Sequence, residues 1–143
     1  MTSPIGSLEP QPTERRLFKT LGIAASGLTA QRLRMDTIAL NLANAETTRT
    51  EAGGPYRRRV VEMEAGDAPG SGVQVTGIAE DPSEGPVVYE PGHPDANADG
   101  YVRYPNVRIT DEMMDLMDAR HLFEANVTVF QAAKAMLRRA IDI

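Results

Sequence analysis

The sequence predicts a mainly α fold with a small β/loop insertion. Long N- and C-terminal helices pair as a coiled coil, with a strand-rich middle segment between them. Three observations carry this. Residues 14–44 and 111–143 place apolar side chains at helical spacing. Residues 45–110 are broken by Gly and Pro and hold only short β-prone runs. Aromatic residues make up only 5%, and the apolar mass comes from Ala, Val, Leu, Ile and seven Met, a composition suited to close helix–helix contact.

Residues 1–13 contain Pro4, Gly6, Pro10 and Pro12 and are expected to form a disordered extension. Thr13 is the expected N-cap of the first helix, with Glu14 in its first turn. Leu17, Leu21, Ala24, Leu28, Gln31, Met35, Ile38, Leu42 and Ala45 then alternate steps of four and three, a heptad seam with one polar member. Gly22, Ser26 and Gly27 lower helix propensity, by up to about 1 kcal/mol per Gly. They predict the close approach of a neighbouring helix.

Thr110 is the expected N-cap of the second helix. Asp111, Glu112, Asp115 and Asp118 crowd its start, and Lys134, Arg138 and Arg139 its end, the order the helix dipole favours. Two apolar seams run along it. One is Met113, Leu116, Phe123, Val127, Phe130, Leu137 and Ile141. The other is Ala119, Leu122, Asn126, Val129, Ala133, Met136, Ala140 and Ile143. One partner helix covers one seam. The chain has no third long helix, so the second seam predicts contact with other subunits.

In the middle, residues 56–64, 73–78 and 86–90 are strand candidates, divided by Gly66, Pro69, Gly70 and Gly72. Residues 91–107 read as extended loop because of Pro91, Pro94 and Pro105. A segment this short does not promise an independently stable β domain.

The formal charge of −5 is unevenly spread: +2 over residues 1–44, −5 over 45–110 and −2 over 111–143. No basic field exists for nucleic acid, and Arg57-Arg58-Arg59 is a short run read as structural or subunit-contacting. No Cys is present, so disulfides and thiolate metal sites are excluded. No apolar run is long enough to insert into a membrane. The N-terminus lacks the basic and apolar regions of a cleavable secretory signal.

Asp95-Ala-Asn-Ala-Asp-Gly100 resembles the first half of a calcium-binding loop. The twelfth position, normally a bidentate Glu, is Asn106, so a series of Asx turns is the preferred reading. His93 with Asp95 and Asp99 matches no zinc spacing, and His121 falls at a helix surface position. No nucleophile has a base partner in the pattern, so neither enzyme activity nor a cofactor is expected. A calcium-responsive binding module built on residues 95–106 is the alternative function. A free-standing helical regulator or export substrate is a third. Asn41, Asn44 and Asn126 suit either local capping or register between helices.

Leu40-Asn41-Leu42-Ala43-Asn44-Ala45-Glu46-Thr47-Thr48 resembles the Asn-(Leu/Ile)-Ala-Asn signature of the bacterial flagellar rod and hook family. Thr29 to Asp36, Pro91-Gly92-His93-Pro94-Asp95-Ala96-Asn97 with Gly100 to Val107, and Glu124-Ala125-Asn126-Val127 narrow the likeness to its proximal rod members. The resemblance spans residues 17–141. Thr47-Thr48 is followed by Arg49-Thr50 rather than the Gly-aromatic pair of the longer members, and residues 1–16 extend beyond the usual start.

The resemblance implies a structural subunit of the rod within the periplasm, with no catalysis and no cofactor. It implies export unfolded through the flagellar type III apparatus, without signal cleavage. It also implies contacts with copies of itself, with the rod proteins FlgB, FlgF and FlgG, and with the rod adaptor FliE. The residues it marks as family motifs are Asn41, Leu42, Asn44, Thr47, Thr48 and Asn126, with Pro91, His93, Pro94, Asp95, Tyr101, Pro105 and Asn106; the second seam adds Leu122, Val129 and Met136 as expected subunit-interface residues.

Overall fold

The structure is a computed structural model and describes residues 12–142. Two long helices, α1 (Pro12–Ala43) and α2 (Ile109–Ile141), enclose β1 (Arg59–Ala65), β2 (Val73–Glu80), β3 (Val87–Tyr89) and β4 (Tyr101–Arg103) in sequence. The helices pack antiparallel along their lengths: Asn41 near the end of α1 meets Glu112 at the start of α2, and Gly27 faces Asn126 near the middle.

The described part of α1 opens on Pro12, a residue whose missing N–H is tolerated in a first helical turn. Thr13 therefore lies inside the helix and is not its cap. The extension expected over residues 1–13 falls mostly outside the described residues. Every position of the expected α1 seam, from Leu17 to Ala45, is buried or half-buried. The fully buried α1 residues are Ala24, Gly27, Ala30, Thr37, Ile38 and Asn41, only two of them on that seam, and Gly27 and Asn41 are among those that meet α2.

In α2 the cap position is Arg108, in extended conformation with no side-chain cap; Thr110 lies one residue inside the helix. The residues facing α1 also differ from both expected seams. They are Glu112, Leu116, Ala119, Phe123, Asn126, Phe130, Ala133 and Leu137, all buried or half-buried and again alternating four and three. Met113 and Ile141, expected on the first seam, are exposed, as are Leu122, Val129 and Met136 from the second; Ile143 lies outside the described residues. The packed face combines half of each expected seam.

β1 and β2 form an antiparallel hairpin with a bulge beside Glu62 and Met63. Its apolar side chains Val61, Met63, Val73, Val75 and Ile78 share one face by their cross-strand register. The hairpin packs on α1 and is fastened there at its tip. Lys19 Nζ donates to the Pro69 carbonyl at 2.7 Å, and Ser26 Oγ accepts the Val73 N–H at 3.0 Å. Gly72, at φ +82°, is required here, because a side chain would run into Ser26.

β3 and β4 form a second, three-residue hairpin. β4 lies within the stretch expected to be extended loop throughout. Pro91, Pro94 and Pro105 flank the strand without interrupting it, and its central Val102 is buried. Gly100 turns into β4 at φ +85°, where a side chain would meet Tyr89 and Pro91. The Tyr89 and Tyr101 rings meet edge-on, their centroids 5.1 Å apart. This hairpin packs against neither helix.

Candidate functional site

Where the helices meet the middle segment, a buried polar node ties three distant stretches of chain together. Asn41 is 0% exposed, and both its amide donors and both its acceptor positions are used. Nδ2 donates to the Arg59 carbonyl at 2.8 Å and to Glu112 Oε2 at 3.0 Å. Oδ1 accepts the Tyr56 hydroxyl at 2.8 Å and the Arg59 N–H at 2.9 Å. Within one turn, α1 is thus fixed both to β1 and to α2.

Glu112 is also 0% exposed, and its other oxygen is paired with Arg58 Nε. Arg58 extends the network to Asp115 at 3.1 Å, and Arg34 reaches the same carboxylate at 3.6 Å. Burial alone would lower the Arg58 pKa, but the hydrogen bond and charge of Glu112 raise it above its ordinary value. The Tyr56 phenol is also pushed up, chiefly by burial. Asn106 closes the far side. Its Oδ1 accepts the Arg58 N–H at 2.7 Å, and its Nδ2 donates to the Asp81 and Ser83 carbonyls. The Arg57-Arg58-Arg59 run is therefore structural: Arg57 binds the Pro82 carbonyl, and Arg59 lies over the Tyr56 ring.

The other singled-out residues separate by role. Asn44 is a helix cap, donating to the Leu40 carbonyl at 2.9 Å and accepting from Thr47. Leu42 lies half-buried on the α1 seam. Asn126 packs inside the helix pair: a Cβ on Gly27 would stand 2.8 Å from its Nδ2. The close approach expected of the small α1 residues occurs at Gly27. Ser26 instead serves the hairpin, and Gly22 has open space.

In the 91–107 loop, Asp95 accepts the Thr48 hydroxyl at 2.7 Å and lies 3.7 Å from Arg49, which pins the loop to the segment after α1. Asn97 Oδ1 accepts the Asp99 and Tyr101 N–H groups, the Asx-turn arrangement. His93 Nδ1 accepts the Asp95 N–H, and its ring meets Tyr104 edge-on. Of the groups that resemble calcium ligands, Asp95 and Asn97 are thus committed to neighbours in the fold. Pro105 is buried, while Pro91, Pro94 and Tyr101 are exposed.

The outer surface of α2 is of another kind. Leu122, Val129 and Met136 are 47%, 46% and 57% exposed and lie on one stripe with exposed Ala125 and Ala132. Among the described residues, no element covers that stripe.

Sequence reasoning missed Tyr56, Arg58, Glu112 and Asp115 as a group. In the sequence, the helix dipole alone accounts for Glu112. Its place seven residues before Ala119, on the packed heptad face, was the signal available.

Comparison with known proteins fits this arrangement of paired terminal helices around a small β insertion. A family model described as flagella basal body rod protein matches residues 21–49, and one described as flagellar basal body rod FlgEFG protein C-terminal matches residues 98–143. The two matched stretches include Asn41 and Glu112, from opposite sides of the node. The flagellar basal-body rod protein FlgC of Bacillus subtilis is 44% identical over 146 residues, covering 88% of this chain and 97% of that protein. FlgC of Borreliella burgdorferi is 40% identical, covering 89% and 97%, and FlgC of Salmonella typhimurium is 38% identical with the same coverage. The chain belongs to the FlgC family of flagellar basal-body rod proteins. It is a structural subunit of the flagellar rod, not an enzyme, and it assembles with other rod components and with itself. No described helix is long and apolar enough to cross a membrane.

Proposed function

We propose that this subunit forms part of the proximal rod within the periplasm, transmitting motor torque and helping to enclose the export channel. The exposed apolar stripe on α2 carries this reading. A helix that leaves Leu122, Val129 and Met136 uncovered has a second face to bury. Neighbouring subunits in a helical assembly supply the cover.

In this reading residues 14–44 and 111–143 act as one coiled-coil unit that lines the rod. Residues 45–110 sit outside it and touch axial neighbours, with His93, Pro94, Tyr101 and the rest of the 91–107 loop among the contact residues. Leu122, Val129 and Met136 face other subunits. Asn41, Asn44 and Asn126 act from within, holding the shape that those contacts require. The partners are copies of this chain, FlgB, FlgF and FlgG, the adaptor FliE, and the type III export apparatus, which passes the chain unfolded and without signal cleavage.

Val129→Asp tests the proposal. The position is exposed, so the variant is expected to fold and to be exported, but to leave cells non-motile because a charge now sits on the assembly face. A fully motile strain would sink the argument.

A further inference from the structure

The uncovered stripe on α2 has a pattern of its own. Asp118, Leu122, Ala125, Val129, Ala132, Met136 and Arg139 alternate steps of four and three, and all are exposed. The order is acidic, large, small, large, small, large, basic. Reversed, it gives large against large and small against small, with the two charges exchanged. A second copy of α2 laid antiparallel would therefore place Asp118 against Arg139 at both ends. Leu122 would meet Met136, Ala125 would meet Ala132, and Val129 would meet itself on the two-fold axis. Neither Asp118 nor Arg139 has an ion-pair partner among the described residues. The two alanines allow the backbones to approach closely.

We propose that the isolated subunit pairs with a second copy through this stripe, as an antiparallel two-fold dimer. The contact runs about 32 Å along the helix at 1.5 Å per residue. A single helix–helix contact of that length falls below the ~1,200 Å² that separates weak from standard interfaces, so micromolar affinity is expected. A two-fold contact uses the same patch on both partners and closes on itself. The dimer therefore covers the stripe without extending any filament. The final step rests on the rod reading: such a dimer must open before either copy joins the rod, which keeps free subunits from polymerising away from their site.

Sedimentation equilibrium of the full chain, from about 1 to about 200 µM, reads the dimer directly. A concentration-dependent dimer is expected, and D118R and R139D should each weaken it at least about tenfold. An equimolar mixture of the two variants should pair again. The D118R copy is basic at both ends of the stripe and the R139D copy is acidic at both, so each end of the mixed pair regains opposite charges. A monomer at all concentrations would overturn the proposal. So would a dimer indifferent to both reversals, a mixture that fails to pair, or species that grow beyond two copies. The readout is independent of motility, so its failure leaves the rod assignment standing.

Discussion

The two ends of the helix pair are held in opposite ways. At the node, every hydrogen-bonding position of Asn41 is filled by the chain itself, and the buried carboxylate of Glu112 has its cation in Arg58. Along the distal half of α2, Val129, Met136 and Ile141 stay exposed among the described residues. At the node the subunit thus completes its polar chemistry alone, and along the distal half of α2 it leaves apolar surface exposed. Unpaired buried polar groups are costly and specific, so they must be satisfied before assembly. Exposed apolar stripes cost less in a lone molecule and gain on contact.

The largest effect expected is at the node. Arg58→Met leaves the Glu112 carboxylate buried without its cation and should destabilise the fold by about 3–5 kcal/mol. Arg58→Met with Glu112→Leu should recover much of that loss, since removing both charges removes the unpaired one. Urea unfolding of the two variants checks this; equal loss in both would mean that the ion pair is not what holds the node.

Gly27→Ala comes next. Its new Cβ would crowd Asn126, at an expected cost of about 1–3 kcal/mol. Adding Asn126→Ala should relieve part of that cost, and thermal melts that show simple additivity would refute the close-packing account.

A smaller effect is expected at Tyr56. Its hydroxyl bonds to Asn41, and burial raises its pKa above the ordinary 10.0. Such a group contributes stability that is present below the unfolded pKa and is lost as pH rises through the folded one. Tyr56→Phe should therefore cost about 1 kcal/mol at neutral pH and flatten the alkaline decline in stability above about pH 10. An unchanged alkaline slope would place the titration elsewhere.

The smallest effect expected is at the loop. Asp95→Ala removes the acceptor of Thr48 and should cost about 1 kcal/mol. Calorimetric titration of the wild-type chain with Ca²⁺ should give no binding heat. Micromolar affinity that Asp95→Ala abolishes would revive the calcium-module reading.

The contrast between the two ends also explains what could be read from the residues. The α1 face was legible only in part: every seam position is at least half-buried, but Gly27, Ala30, Thr37 and Asn41, buried beside it, are small or polar and give little apolar signal. The α2 face was not, because its packed heptad begins with Glu112 and includes Asn126. A search for apolar periodicity discards Glu112 and splits the rest of the face, giving Leu116 and Phe123 to one stripe and Ala119 and Asn126 to the other. The node was invisible for a related reason: Asn41 and Glu112 are 71 positions apart, and no local pattern joins them. β4 was hidden by its flanking prolines, which mark the ends of a strand as readily as the absence of one. The uncovered stripe, by contrast, could be anticipated by counting apolar faces against available helices.

Hydrogen exchange on the dilute monomeric chain tests the central claim most directly. Amides around Asn41, Arg59 and Glu112 should exchange slowly and together, close to the global unfolding rate, while those of α2 beyond Val129 and the facing start of α1 exchange much faster. Uniform, full protection of both helices in a proven monomer would contradict it, because the distal half would then need no neighbour to hold it.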